Sequence, residues 1–127
     1  MSGLGLLLLL AALLTILIGA AHSILGERYV LPLLLRRPDL PKLLGSSEFT
    51  ARTLRFAWHL TTIAWWGFAG FFFLTAQGPV PYQSAAAVLA YVFLASAVLT
   101  AVASRFRHFA WLVFLVIGLI ALYGSQA

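Results

Sequence analysis

Cysteine is absent from this sequence of 127 residues, and methionine occurs once, at position 1. Without cysteine the chain has no disulfide framework, no thiolate metal site and no redox dithiol. Because Cu(I) is selected by thiolate and thioether ligands, the chain also lacks the side chains that would handle that ion.

Charged side chains are scarce as well, at 9% of the residues, with three acidic and eight basic. A soluble domain carries about 25% charged residues, so this chain has too few to cover a water-facing surface. Hydrophobic residues make up 63% of the sequence. The net charge of +5 would suggest nucleic acid as the partner of a soluble protein. In a chain this apolar we assign the basic residues to membrane topology, and we predict no nucleic-acid partner.

Four long apolar runs account for the composition, and about 20 residues of helix cross the hydrocarbon of a bilayer. The sequence therefore predicts an all-α fold: a single domain, 1–127, that forms an integral membrane four-helix bundle of two helical hairpins. The predicted helices are 4–25, 47–76, 82–104 and 106–124, and an interfacial loop, 26–46, follows the first. Prolines at 32, 38 and 41 predict that this loop is not one continuous helix.

The charged residues fall in two windows only, 27–55 and 105–107. Short loops rich in Lys and Arg stay cytoplasmic, so both windows are predicted on the cytoplasmic side and both termini on the outer side. We expect a multi-pass protein of the bacterial inner membrane. Its partners would be the lipid bilayer, with anionic headgroups at the 26–52 loop. A homo-oligomer or a larger membrane complex is compatible with the small-residue helix faces.

The candidate site is a layer of polar side chains at the predicted cytoplasmic edge. The three histidines, His22, His59 and His108, lie on three different predicted helices at that side. Ionisable groups at membrane depth are by default a functional hypothesis. The other members of the predicted polar layer are Glu27, Arg52, Arg55, Thr62, Arg105 and Arg107.

Two functions fit this layer. In the first, the layer holds the hairpins in register, and the chain is a small accessory or scaffold-like membrane protein. In the second, His22 and His59 are axial ligands of a b-type haem, since helix bundles build such sites from facing helices. Adding His108 would instead give a three-imidazole site for a divalent metal, and either cofactor would serve electron transfer or sensing.

Two other functions are less favoured. A small transporter would need a carboxylate within the membrane, and the acidic residues all lie in the loop region. No serine sits in a nucleophile turn such as G-x-S-x-G, which disfavours hydrolase chemistry, and we predict no catalytic residue.

Three segments carry a resemblance to small, uncharacterised four-helix membrane proteins of bacteria. They are 21–29 (AHSILGERY), 55–62 (RFAWHLTT) and 107–111 (RHFAW). This resemblance spans most of the chain and implies no activity. The shorter segment 59–67 (HLTTIAWWG) is similar to a helix of copper-resistance membrane proteins of the CopD type, which would imply copper transport.

Overall fold

The computed structural model describes residues 2–127, and these residues form helices and connecting turns with no strand. The predicted all-α fold is therefore confirmed. Met1, which the predicted domain 1–127 includes, lies outside the described residues. The long helices are α1 (Gly3–Leu25), α3 (Ser47–Ala76), α4 (Tyr82–Ala103) and α5 (Ala110–Gln126), and a short helix, α2, covers Leu31–Leu35.

Two stretches of the described chain are long and apolar enough to cross a membrane, Gly3–Leu35 and Tyr82–Ala103. A third apolar helix, α5, is shorter, at 17 residues. α3 has 30 residues but carries polar side chains along its first half. Two of the four predicted membrane crossings therefore meet the length and hydropathy expected of a membrane-spanning helix.

The predicted loop 26–46 required α1 to end before Pro32. In the structure the helical path does not end there. α1 continues through a π-helical segment, Gly26–Val30, directly into α2. Proline has no N–H, and its ring clashes with the carbonyl four residues earlier. The helical turn contains one extra residue here, and the Leu31 N–H donates to the Gly26 carbonyl, five residues back. Within 26–46, residues 36–46 lack regular helix, and the helical stretch that begins with α1 ends at Leu35 rather than at 25.

The bounds of α3 follow from local chemistry at both ends. Ser46 precedes the helix, and its side-chain oxygen accepts a hydrogen bond from the Phe49 N–H at 3.3 Å. Glu48 lies in the first turn, where the helix dipole favours a negative charge. After Ala76 the chain turns at Gly78, whose φ of +132° suits glycine alone.

The long helices pack in chain order: α1 on α3, α3 on α4, and α4 on α5. Glycines set the spacing between them. A Cβ at Gly67 of α3 would lie 2.5 Å from a methyl group of Val92 in α4. A Cβ at Gly118 of α5 would lie 2.8 Å from the Leu94 side chain and 3.0 Å from the Leu94 backbone nitrogen. Backbones approach this closely because small residues leave room, as is common between helices in lipid.

The close approach of α4 and α5 predicts that Gly118→Ala destabilises the fold. Because the new Cβ meets backbone as well as a side chain, the two helices must separate, at a cost of about 1–3 kcal/mol. Gly124→Ala is the matched control on the same helix, since nothing lies within 4 Å of its Cβ position. That change should stabilise by about 0.5–1 kcal/mol through helix propensity. Unfolding in detergent measures both, and equal effects would contradict the packing.

Candidate functional site

Side chains of α3 donate three hydrogen bonds to backbone carbonyls of α1, an arrangement that we call the α1–α3 ladder. Its donors are spaced four residues apart and its acceptors three apart, so each set occupies one face of its helix. The bonds are Trp58 Nε1 to His22 O at 2.9 Å, Thr62 Oγ1 to Gly19 O at 3.1 Å, and Trp66 Nε1 to Ile16 O at 3.1 Å.

The ladder requires two glycines, Gly19 on α1 and Gly26 at the start of the π-helical segment. A Cβ at Gly26 would lie 2.0 Å from Trp58 Nε1, and a Cβ at Gly19 would lie 2.7 Å from Trp66 Nε1. Atoms cannot approach so closely, so any larger residue would push the indole off its carbonyl. Seven residues separate these glycines and eight separate the two indoles along α3, so both spacings are about two helical turns.

Beside the ladder, a line of hydrogen bonds joins α1 to α3 through His59. His59 Nε2 is 2.8 Å from Glu27 Oε1, and His59 Nδ1 is 2.8 Å from Ser23 Oγ. Ser23 Oγ is in turn 2.6 Å from Thr62 Oγ1, the hydroxyl that bonds the Gly19 carbonyl. Arg55 Nε adds an ion pair to the same carboxylate oxygen at 3.2 Å. We call this set the polar cluster: Ser23, Glu27, Arg55, His59 and Thr62.

The spacing of these residues places them face to face. Ser23 and Glu27 are four residues apart on α1 and its π-helical extension, and Arg55 and His59 are four apart on α3. An open cavity of about 460 Å³ lies against the cluster. Its lining residues are Ser23, Ile24, Glu27, Arg28 and His59.

The order serine, histidine, carboxylate is that of a hydrolase triad, but the surroundings of Ser23 differ from those of a nucleophile. Ser23 lies inside α1, where the backbone N–H groups bond within the helix. They therefore offer no donor pair to an oxyanion. The Ser23 hydroxyl is also held by Thr62 in the seam between the helices. The arrangement is suited to holding and moving protons rather than to acyl transfer.

His22 is packed next to the cluster but is not bonded into it. Its ring stacks on the indole of Trp58, with centroids 4.4 Å apart and planes inclined by 4°. His22 Nε2 lies 3.2 Å from the Trp58 carbonyl oxygen, which can only accept, so this nitrogen carries the hydrogen. His22 and Trp58 thus each donate to the other's backbone carbonyl.

His108 lies apart from the other histidines, at the start of α5. Its Nδ1 accepts a hydrogen bond from the Ala110 N–H at 3.2 Å, so the side chain satisfies one of the free donors at the helix end. The ring packs between Phe49 and Phe56 of α3, with centroids 5.7 and 5.1 Å away. His108 therefore joins α5 to α3 and caps a helix.

The histidine-ligated cofactors predicted from the sequence have different outcomes. Residues 2–127 contain no group of three His, Cys, Asp or Glu side chains placed to hold a metal ion. The three-histidine metal site of His22, His59 and His108 is therefore not assembled. Haem ligation by His22 and His59 stays a prediction. Both ring nitrogens of His59 are hydrogen-bonded, so an iron ligand there would have to displace Ser23 or Glu27.

The predicted polar layer divides into two parts. Glu27 contacts both His59 and Arg55, and Thr62 is connected to His59 through Ser23. Arg52 instead pairs with Glu48 one turn earlier on α3. The two other arginines, Arg105 and Arg107, are exposed in the turn between α4 and α5.

Sequence reasoning missed the role of Ser23 and of the indole donors. The four-residue spacing of Trp58, Thr62 and Trp66, together with the glycines at 19 and 26, is the signal that could have found the ladder. No family model, curated protein or solved structure matches the chain.

Two buried threonines allow a matched test of the ladder. Thr62 is 4% exposed and bonded to both Ser23 and the Gly19 carbonyl. Thr100 is 0% exposed, and its hydroxyl has no partner among the described residues. Thr62→Val should cost about 1 kcal/mol of stability, because it leaves buried groups unpaired. Thr100→Val should be neutral or stabilising. Unfolding in detergent measures both, and a harmless Thr62→Val would contradict the assigned bonds.

Proposed function

We propose that this chain is a small accessory, scaffold-like protein of the bacterial inner membrane. In this proposal α1, α3, α4 and α5 cross the bilayer as a four-helix bundle with both termini outside. The polar cluster then fastens the first hairpin at the cytoplasmic edge. One observation carries the assignment: His59, Ser23 and Thr62 direct their hydrogen-bonding groups at one another and at α1. Polar groups used in this way hold two helices in register.

Exposed apolar side chains support the membrane assignment of all four helices. They occur along α1, on the second half of α3, on α4 and on α5, where a water-facing surface would be polar. α3 is about 45 Å long at 1.5 Å per residue, so its first turns project beyond about 30 Å of hydrocarbon. α5 is about 25 Å long, and the turn before it adds the remaining depth. Examples of these exposed residues are Leu7, Leu13, Phe68, Phe73, Val98, Val102, Val113 and Ile120.

The two basic windows support contact with anionic headgroups. Leu44 and Phe109 are each 83% exposed, and they lie near exposed basic residues, Lys42 and Arg107. Apolar side chains beside basic ones favour the headgroup zone, where the former enter the lipid boundary and the latter attract phosphate. The cytoplasmic surface would thus anchor the chain in the leaflet.

The orientation predicts that a reporter fused after Ala127 is active on the outer side. A periplasm-dependent phosphatase should give activity there, because both basic windows retain their loops in the cytoplasm. The control is the same phosphatase inserted in the non-helical 36–46 loop, which should be inactive. An inactive C-terminal fusion together with an active loop insertion would contradict the proposed orientation and show that the topology is inverted.

The fastening role predicts that Glu27→Gln loosens the first hairpin. Glu27 bonds both His59 and Arg55, so loss of its charge should accelerate proteolysis of the 36–46 loop and lower the melting temperature. Asp39→Asn is the matched control in the loop itself. The hydrogen bond from Arg37 holds the pKa of Asp39 below its usual value, but this pair is exposed and contributes little. Its removal should change neither measurement.

The same preparations separate fastening from cofactor binding. A haem protein would show a Soret band that disappears in His59→Ala, and that result would contradict the fastening role. Under the proposal, His59→Ala changes proteolysis and melting temperature as Glu27→Gln does, with no change in the visible spectrum.

A further inference from the structure

The hydrogen bonds of the polar cluster can be counted against the hydrogens available to make them. Four contacts run in series: Glu27 to His59 at 2.8 Å, His59 to Ser23 at 2.8 Å, Ser23 to Thr62 at 2.6 Å, and Thr62 to the Gly19 carbonyl at 3.1 Å. All four are within hydrogen-bond distance, and each needs one hydrogen between its two atoms. The series begins at a carboxylate and ends at a carbonyl.

An ionised Glu27 with a neutral His59 cannot supply these hydrogens. A neutral imidazole carries one N–H, and each hydroxyl carries one O–H, so His59, Ser23 and Thr62 together hold three hydrogens for four contacts. One additional proton, placed on His59 Nδ1, completes the series. Nδ1 then donates to Ser23, Ser23 donates to Thr62, and Thr62 donates to the Gly19 carbonyl.

We infer that the polar cluster is a proton-binding site, in which His59 takes a proton from hydronium and both hydroxyls reverse direction. The Nδ1 lone pair forms the new N–H bond, one O–H bond of the hydronium ion breaks, and a neutral water molecule leaves; no other covalent bond changes. In the neutral state the hydroxyls point the other way, from Thr62 to Ser23 and from Ser23 to Nδ1. The longest contact, Thr62 to Gly19, then has no hydrogen. The ladder bond from Thr62 to the Gly19 carbonyl is therefore made only when His59 carries the additional proton.

The charges around His59 fit this assignment. Glu27 faces it from the π-helical segment and carries the negative charge that pairs with an imidazolium. Arg55, on the same helix as His59, forms an ion pair with the same carboxylate oxygen at 3.2 Å, and we therefore place the additional proton on the ring. Arg28 lines the same cavity, and the neighbouring imidazole, His22, is turned to the Trp58 carbonyl. The open cavity beside Glu27 and His59 leaves part of the ring uncovered, with 21% of the His59 side chain exposed.

The site can be tested by NMR on the full chain in lipid nanodiscs. Histidine labelled with ¹⁵N reports which ring nitrogens carry hydrogen, and variants of His22 and His108 assign the three rings. Gly–Ala occurs once in the sequence, at Gly19–Ala20, so ¹³C-carbonyl glycine with ¹⁵N alanine isolates the Gly19 carbonyl. Both signals are followed from pH 5 to 8, the range in which histidine changes charge.

We expect the Gly19 carbonyl signal to shift together with the charge of His59, moving to its hydrogen-bonded position as the ring gains its second hydrogen. In Thr62→Val and in Ser23→Ala the ring should still titrate while the carbonyl signal no longer follows it. Thr100→Val and His22→Gln are controls that should keep the coupling. A carbonyl signal indifferent to His59 in the unaltered chain would overturn the inference, as would a ring with one hydrogen throughout the range. Either result leaves the membrane topology untouched, because the measurement does not depend on orientation.

Discussion

The close contact of α1 with α3 depends on two positions without side chains, Gly19 and Gly26. They allow the indoles of α3 to reach the backbone of α1, where Trp58 and Trp66 each donate to a carbonyl. Each such bond contributes about 1 kcal/mol to stability. The main effect of the ladder is therefore to fix one register of α3 against α1. A slide of α3 by one turn would direct both indoles at positions that have a Cβ. The register that results places Ser23 and Glu27 opposite His59.

The continuation of the helix past Leu25 matters for the same reason. Had Pro32 ended the helix where the loop was predicted to begin, Glu27 would lie in irregular chain, free of the helical register that also sets Ser23. The π-helical segment accommodates the missing N–H of proline and keeps Glu27 four residues beyond Ser23 on a helical path. A local backbone irregularity thus preserves the position of the carboxylate that His59 needs.

More of the fold than of the candidate site could be predicted from the sequence. Apolar runs and turn residues predicted the long helices to within a few residues at most ends, because length and capping are local properties. α5 begins at Ala110 rather than at 106, since the turn before it uses left-handed backbone at Arg105 and Phe106. The contact between Ser23 and His59 joins residues 36 apart. It depends on the register of two helices, which the periodicity of either one does not determine.

The number of hydrogens in the polar cluster matters because part of the cluster is buried. At a water-exposed site a missing hydrogen has little consequence, because solvent donates or accepts in its place. Thr62 is buried and the Gly19 carbonyl lies under it, so that end of the series is closed to water, whereas Glu27 at the other end is partly exposed. A change of charge at the accessible end must then be matched by the direction of the hydroxyls at the closed end. The ladder that fixes the helices and the cluster that takes up a proton share one bond, from Thr62 to Gly19, and through that bond the packing responds to the charge of His59.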